Sequence, residues 1–282
     1  DELGIAHYTE HMAFGGSRHF KAEDMVSLFQ RLGVEYGSDV NATTTFDHTA
    51  YRLDFRENDA ALLREGMRLF RDFADGVSFE PAMIERERRV VLAELRNRNN
   101  LSGQQQQASM PVVFRGLQFP QRSPGGSEAL IAKFTREQFL QFYRRCYRPD
   151  LMVLVGTGDF EPAALTALVR ETFGDMARPR EAIPARDEGK LDARAVRAGV
   201  FRIGGAGSAS TEAASVAPLP LRPDSREAHV ERQKREFVMG VFAQRLKTEI
   251  NAGAGADASY DELLGHAVAM ATVTVPAREW GA

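Results

Sequence analysis

Residues 5–14, "IAHYTEHMAF", contain no glycine or proline and end at Gly15-Gly16. The apolar residues Ile5, Ala6, Met12, Ala13 and Phe14 predict a helix turned toward a core and stopped by the glycine pair. His7 and His11 are four apart, so on a helix they share one face, with Cβ atoms about 5–6 Å apart. Two imidazoles aimed at one ion leave a catalytic zinc site short of a third protein ligand. A fold that uses them must bring a distant segment against this helix. The alternative is a helix whose polar face happens to hold two histidines and Glu10.

Helical periodicity recurs at 21–33, with Met25, Val26, Leu28, Phe29 and Leu32 before Gly33, and at 58–76, where Asn58 is the expected N-cap. It recurs again at 80–100, with Pro81 in the first turn, and at 135–147, 161–174 and 226–250. Residues 38–55 are rich in Thr, Val, Tyr and Phe and predict two strands with a turn near Phe46-Asp47. The apolar run 151–160 predicts a buried strand, and 195–203 and 267–277 predict two more. The stretches 102–111 and 204–215 are loop-like and flexible in composition. Residues 175–195, rich in Pro, Arg, Asp and Glu, predict an interdomain linker. The order predicts an α+β fold with helices packed on a mostly antiparallel sheet.

Thirty-six basic and 39 acidic residues nearly balance, which argues against a nucleic-acid partner. No apolar run is long enough for a membrane-spanning helix. The lone cysteine, Cys146, excludes an internal disulfide and a cysteine metal cluster. His19, His48, His229 and His266 show no ligand spacing and are expected in loops or on the surface.

The missing ligand is expected from the helix at 80–100, which offers Glu85, Glu87 and Glu94. Glu87 and Glu94 are seven apart, about two turns, and share a face. Glu94 lies among Val90, Val91, Leu92, Ala93 and Leu95, where a lone carboxylate calls for a partner. Glu87 lies among Arg86, Arg88 and Arg89 and is expected to act beside the site or in an ion pair. Glu10, next to His11, is placed to take a proton from a water that zinc activates and return it to a leaving amine.

His7-Tyr8-Thr9-Glu10-His11 is the inverted zinc motif of the inverzincins. The following "MAFGGSRHF", then "LGVEYGSDVNATTTFDHTAY", "IERERRVVLAELR" and "FYRRCYRPDLMVLVGTGDFEP", resemble successive segments of the pitrilysin/insulinase family of zinc metallopeptidases. The bacterial pitrilysin-like proteases are the nearest in character. The resemblance implies one Zn2+ held by His7, His11 and Glu94, with Glu10 as general base and Glu87 supporting the site. It implies that Asn41 and Ala42 lie on a strand edge that pairs with substrate backbone; for Asn41 the alternative is a turn residue at a strand start.

The division expected is a metal-binding peptidase domain at 1–180, a linker at 181–195 and a second, truncated α+β domain of the same type at 196–282. Extended peptides or unfolded proteins are the implied substrates, and a second peptidase-like half, in cis or in trans, is the implied partner that closes the chamber. A bacterial periplasm or cell envelope is the implied location. The chain starts with Asp1 at the metal helix and is expected to be a piece of a longer protein, for which an inactive fragment is one possibility. The rival classes are a non-catalytic relative or partner subunit and a module binding structural zinc. The intact motif argues against the first and a three-ligand set against the second.

Overall fold

The computed structural model describes residues 2–183, 186–193, 197–205, 207–220, 222–250, 254–276 and 278. The chain divides into two compact units, Asp1–Arg98 with Arg122–Arg186, and Asn99–Gln121 with Asp187–Ala282.

The first unit is built around helix α1 (Ile5–Phe14). Ile5, Tyr8 and Met12 repeat at helical spacing and are at most 1% exposed, so the helix lies within the core rather than on it. Burial of side chains this large contributes about 1.5–3 kcal/mol each. Helix α2 (Met25–Leu32) follows and ends at Gly33 in the left-handed region. Strands β1 (Val40–Thr44) and β2 (Thr49–Leu53) form an antiparallel pair in which Ala42 faces Tyr51 and Thr44 faces Thr49. Helix α3 (Ala60–Asp75) is capped by Asp59, whose carboxylate accepts from the amides of Ala61 and Leu62. The expected cap, Asn58, instead donates to the Asp159 carbonyl. A carboxylate is the better acceptor for two helix amides.

Helix α4 (Pro81–Arg98) packs on α1. Helices α5 (Leu101–Val113), α6 (Glu128–Ile131), α7 (Arg136–Cys146) and α8 (Pro162–Phe173) follow. The segment 102–111, expected as a loop, lies inside α5. Asn100 caps it by accepting from the Gly103 amide, and glutamine is a good helix former. The strand expected at 151–160 is absent. Met152–Gly156 carries no ladder partner among the described residues, and Val153 and Val155 are 86% and 75% exposed. Apolar character cannot make a strand without a neighbour to pair with.

The second unit holds α5, β3 (Ser208–Pro218), α9 (Arg226–Glu249), β4 (Gly255–Leu263) and β5 (His266–Pro276). The three strands form an antiparallel sheet in the order β3-β5-β4, with α9 packed on β4. The turn between β4 and β5 places Leu264 and Gly265 at φ 48° and 74°, the twist-matched geometry of a tight hairpin. Two expectations fail here. Residues 204–215 include most of a strand, because β5 supplies partners from Ser208 to Pro218. Residues 197–203 form no strand; 195–196 of that segment lie outside the described residues.

The observed units differ from the expected division in two places. Residues 99–121 go with the second unit, because Gln105 donates to Ser210 Oγ at 2.9 Å and to Glu212 at 2.7 Å. The first unit ends at Arg186, inside the expected linker 181–195, of which residues 184–185 and 194–195 lie outside those described.

Candidate metal centre

Helix α1 enters the core at a crossing of two glycines. Gly4 has φ 93° and Gly126 has φ 75°, and a Cβ on Gly126 would lie 2.5 Å from the Gly4 Cα. Only residues without side chains allow that approach at those angles. The Tyr8 hydroxyl donates to the Ile84 carbonyl and so ties α1 to α4. The Arg88 guanidinium lies over the Tyr8 ring, 5.9 Å from its centroid. On α4, Ile84 and Val91 are buried. Glu87 and Glu94 lie three residues beyond each of them, on the face that meets α1.

The structure brings His7, His11 and Glu94 together, with one donor atom from each lying within 4.8 Å of the others. His7 Nε2 is 3.5 Å from Glu94 Oε2, and His11 Nε2 is 3.7 Å from Glu94 Oε1. These separations are too long for good hydrogen bonds. Two donors bound tetrahedrally to one zinc at about 2.0–2.1 Å lie roughly 3.3 Å apart, so a small inward movement fits this set to the ion. Glu87 Oε2 approaches His11 Nδ1 at 3.3 Å. It holds the ring nitrogen that faces away from Glu94, as metal-ligating histidines require. His7 Nδ1 is buried and makes no hydrogen bond.

Glu94 is not embedded as its neighbours in the sequence imply. Its side chain is 37% exposed, whereas that of Glu87 is 16% exposed. The carboxylate sits at the mouth of the cluster and the supporting acid lies deeper.

Electrostatics separate the two imidazoles. Burial, helped by the charges of His11 and Arg98, lowers the His7 pKa to about 3, so this imidazole is neutral at any working pH. Burial also opposes protonation of His11, but the bond from Glu87 and the fields of Glu94 and Glu10 outweigh it and raise its pKa. Glu10 is 8% exposed. Burial raises its pKa, against the opposing hydrogen bond from Thr44. That bond, Thr44 Oγ1 to Glu10 Oε2, is 2.5 Å long.

Three partners escaped the sequence reading. Thr44 faces Glu10 and lies two residues past Ala42, on the same face of β1; period-two spacing was its only signal. Arg98 lies one helical turn past Glu94, and its Nη2 is 3.4 Å from Glu94 Oε2. Asp72 is fully buried in α3 and binds the loop after α1. Its Oδ2 accepts from Ser17 Oγ at 2.6 Å and from the His19 amide at 2.8 Å, and its Oδ1 lies 2.7 Å from His19 Nδ1. His19 lies exposed in the loop after α1, as expected, and Asp72 holds it there.

Asn41 and Ala42 are not part of the cluster. Asn41 is exposed on the opposite face of β1. Its amide donates to the Gly37 carbonyl at 3.4 Å, and its oxygen accepts from the Ala42 amide at 2.9 Å. Strand β1 has β2 on one side and no strand on the other among the described residues.

Comparison with known proteins places the chain in a family of peptidases. A family model described as "Insulinase (Peptidase family M16)" matches residues 1–111, and one described as "Peptidase M16 inactive domain" matches 133–246. The "Probable zinc protease PqqL" of Escherichia coli is 26% identical over 258 residues, covering 90% of this chain and 27% of the relative. The crystal structure of that periplasmic protease superposes with a TM-score of 0.82 at 23% identity, over 97% of this chain and 31% of that one. Its separately crystallised first half gives 0.81 at 22% identity, over 97% and 59%. Pitrilysin gives 0.69 at 17% identity, over 98% and 30%. The chain thus spans about a quarter to a third of the full-length relatives it matches.

Proposed function

The chain belongs to peptidase family M16, the insulinase family, and from that premise we propose that it carries the metal centre of a zinc-dependent endopeptidase acting on extended peptides or unfolded proteins. The observation that carries this reading is the convergence of His7, His11 and Glu94 from two helices onto one point. In this reading those three side chains hold one zinc ion. Bound there, zinc supplies a Lewis acid for the scissile carbonyl and acidifies a water molecule.

The protein's own residues do the rest. Glu10 is the base, and the Thr44 hydroxyl fixes its Oε2, leaving Oε1 to receive the proton and pass it to the leaving amine. Burial of Glu10 brings its basicity nearer to neutral pH, where a general base works best. Glu87 fixes the ring orientation of His11. The open edge of β1 at Asn41 and Ala42 offers main-chain groups to an extended substrate, which favours peptides without fixed structure.

The same reading makes residues 1–180 the metal-binding domain and 196–282 part of a second domain of the same type. Among the described residues, the only converging donor set of three lies in the first unit. The Escherichia coli relative is more than three times longer than this chain, which supports a closing half in cis or in trans. The periplasmic description of the Escherichia coli relative supports a bacterial periplasm or envelope as the location.

Metal analysis of the purified protein is expected to find one zinc per chain, lost in His7→Ala and in Glu94→Gln. Glu10→Gln is expected to keep the zinc and abolish peptide cleavage. A protein without zinc, or cleavage that survives Glu10→Gln, refutes the proposal.

A further inference from the structure

Arg98 Nη2 lies 3.4 Å from Glu94 Oε2 and 3.5 Å from His7 Nε2. These two atoms are themselves 3.5 Å apart, so the three form a nearly equilateral triangle. A guanidinium thus stands against two of the three donor atoms that the proposed zinc would take. Arg86, by contrast, meets Glu87 Oε1 at 3.8 Å. Around the imidazoles stand three carboxylates, those of Glu10, Glu87 and Glu94. A Cβ built on Gly125 would lie 3.5 Å from Arg98 Nη1, in ordinary contact, so the guanidinium packs beside the loop at Gly125. The Arg98 side chain is 56% exposed, which leaves it a path outward.

We propose that Arg98 tunes the metal centre: it stands against Glu94 and His7 and competes with a divalent ion for those two side chains. The inference rests on the zinc reading above. An arginine is always charged and offers only N–H donors, so it can share Glu94 with a metal but cannot share the His7 lone pair. Metal binding therefore requires the guanidinium to leave His7 Nε2, while its contact with Glu94 can persist. Arg98 is a positioning residue: it touches ligands, not substrate.

Two opposed effects follow from its removal, and their sizes decide the sign. Loss of a hydrogen bond to a ligand carboxylate loosens Glu94 and weakens metal binding. Loss of a positive charge about 5 Å from a divalent ion strengthens it, by roughly tenfold even in a water-like dielectric. A long contact of 3.4 Å is a weak restraint, so the charge effect dominates.

The experiment measures zinc affinity by chelator competition on the purified wild-type protein, Arg98→Met, Arg98→Lys and His7→Ala, at low and high salt. Arg98→Met is expected to bind zinc about tenfold more tightly at low salt, with the gain shrinking at high salt. Arg98→Lys keeps the charge and is expected to stay within about twofold of wild type, since only a charge change carries the effect. Circular dichroism reports that the variants are folded. Equal or weaker binding by folded Arg98→Met overturns the role of Arg98. If wild type still binds one zinc that His7→Ala loses, that result leaves the zinc reading standing. A wild-type protein that binds no zinc overturns both.

Discussion

Replacing Asp72 with alanine tests whether the loop after the metal helix is held by one buried carboxylate. Asp72 is fully buried and meets Ser17 Oγ, the His19 amide and His19 Nδ1 at 2.6–2.8 Å. Hydrogen bonds to a charged group contribute about 1.5–3 kcal/mol each, and an abandoned buried donor costs about 1–3 kcal/mol. The three losses are unequal. The His19 ring is 33% exposed and can turn to water. Ser17 Oγ already has a second acceptor in the Phe20 carbonyl at 3.3 Å. The His19 amide has no such relief, and the vacated space adds a cavity. The sum is roughly 3–5 kcal/mol, the range for removing one member of a buried charged network. Asp72→Asn keeps the shape and one acceptor oxygen, so its cost is roughly 1–2 kcal/mol. Urea titration followed by circular dichroism at pH 7.5, on zinc-free protein, measures both. A loss below about 1 kcal/mol for Asp72→Ala refutes the reasoning, because the donors have then found water at no cost.

Thr44→Val removes the donor that favours the charged form of Glu10. The Glu10 pKa then rises further, and since the base must be unprotonated, the acid limb of kcat/KM moves to higher pH with zinc content unchanged; an unmoved limb rejects the contact. Zinc uptake displaces no proton from His7, whose pKa of about 3 leaves it neutral. Against burial, the Glu87 hydrogen bond and the fields of Glu94 and Glu10 raise the His11 pKa, so zinc must displace a proton from His11 at mildly acidic pH. Calorimetry in two buffers is therefore expected to find proton release on zinc binding and affinity that weakens as pH falls; no release at mildly acidic pH contradicts this. Gly126→Ala drives a methyl group into the Gly4 backbone. It is expected to cost at least about 2 kcal/mol and to weaken zinc binding; a neutral result in thermal unfolding removes the crossing as the anchor of α1.

Local signals were read well where they suffice. Helix α1 runs from Ile5 to Phe14 as expected, because an unbroken apolar pattern and a double glycine leave the backbone no alternative. Helix α5 is not legible in the sequence, because Gly103, Ser102 and Pro111 favour a loop locally while the cap at Asn100 and packing on β3 outweigh them. The run at 151–160 shows the reverse, apolar enough for a strand but without a ladder. At the candidate site, the motif and the seven-residue spacing of Glu87 and Glu94 were legible because one helix carries each. Thr44, Arg98 and Asp72 were not, since their meaning lies in which elements touch. Glu94 reaches the cluster with its side chain 37% exposed, while its apolar neighbours Leu92 and Leu95 pack against the core.

Glu94 follows His11 by 83 positions, and Gly126, which seats the start of α1, comes later still, so these residues leave the ribosome in a fixed order. Synthesis at about 5–20 residues per second leaves the two histidines waiting several seconds for the carboxylate. They wait longer still for the glycine that fixes their helix. Through that interval the emerging chain presents two imidazoles and no assembled centre. A protease whose donors were all local could gain its metal, and begin to cut, while neighbouring chains were still unfolded. In the zinc reading, a donor set split across α1 and α4 makes metal capture a report that the first unit has closed.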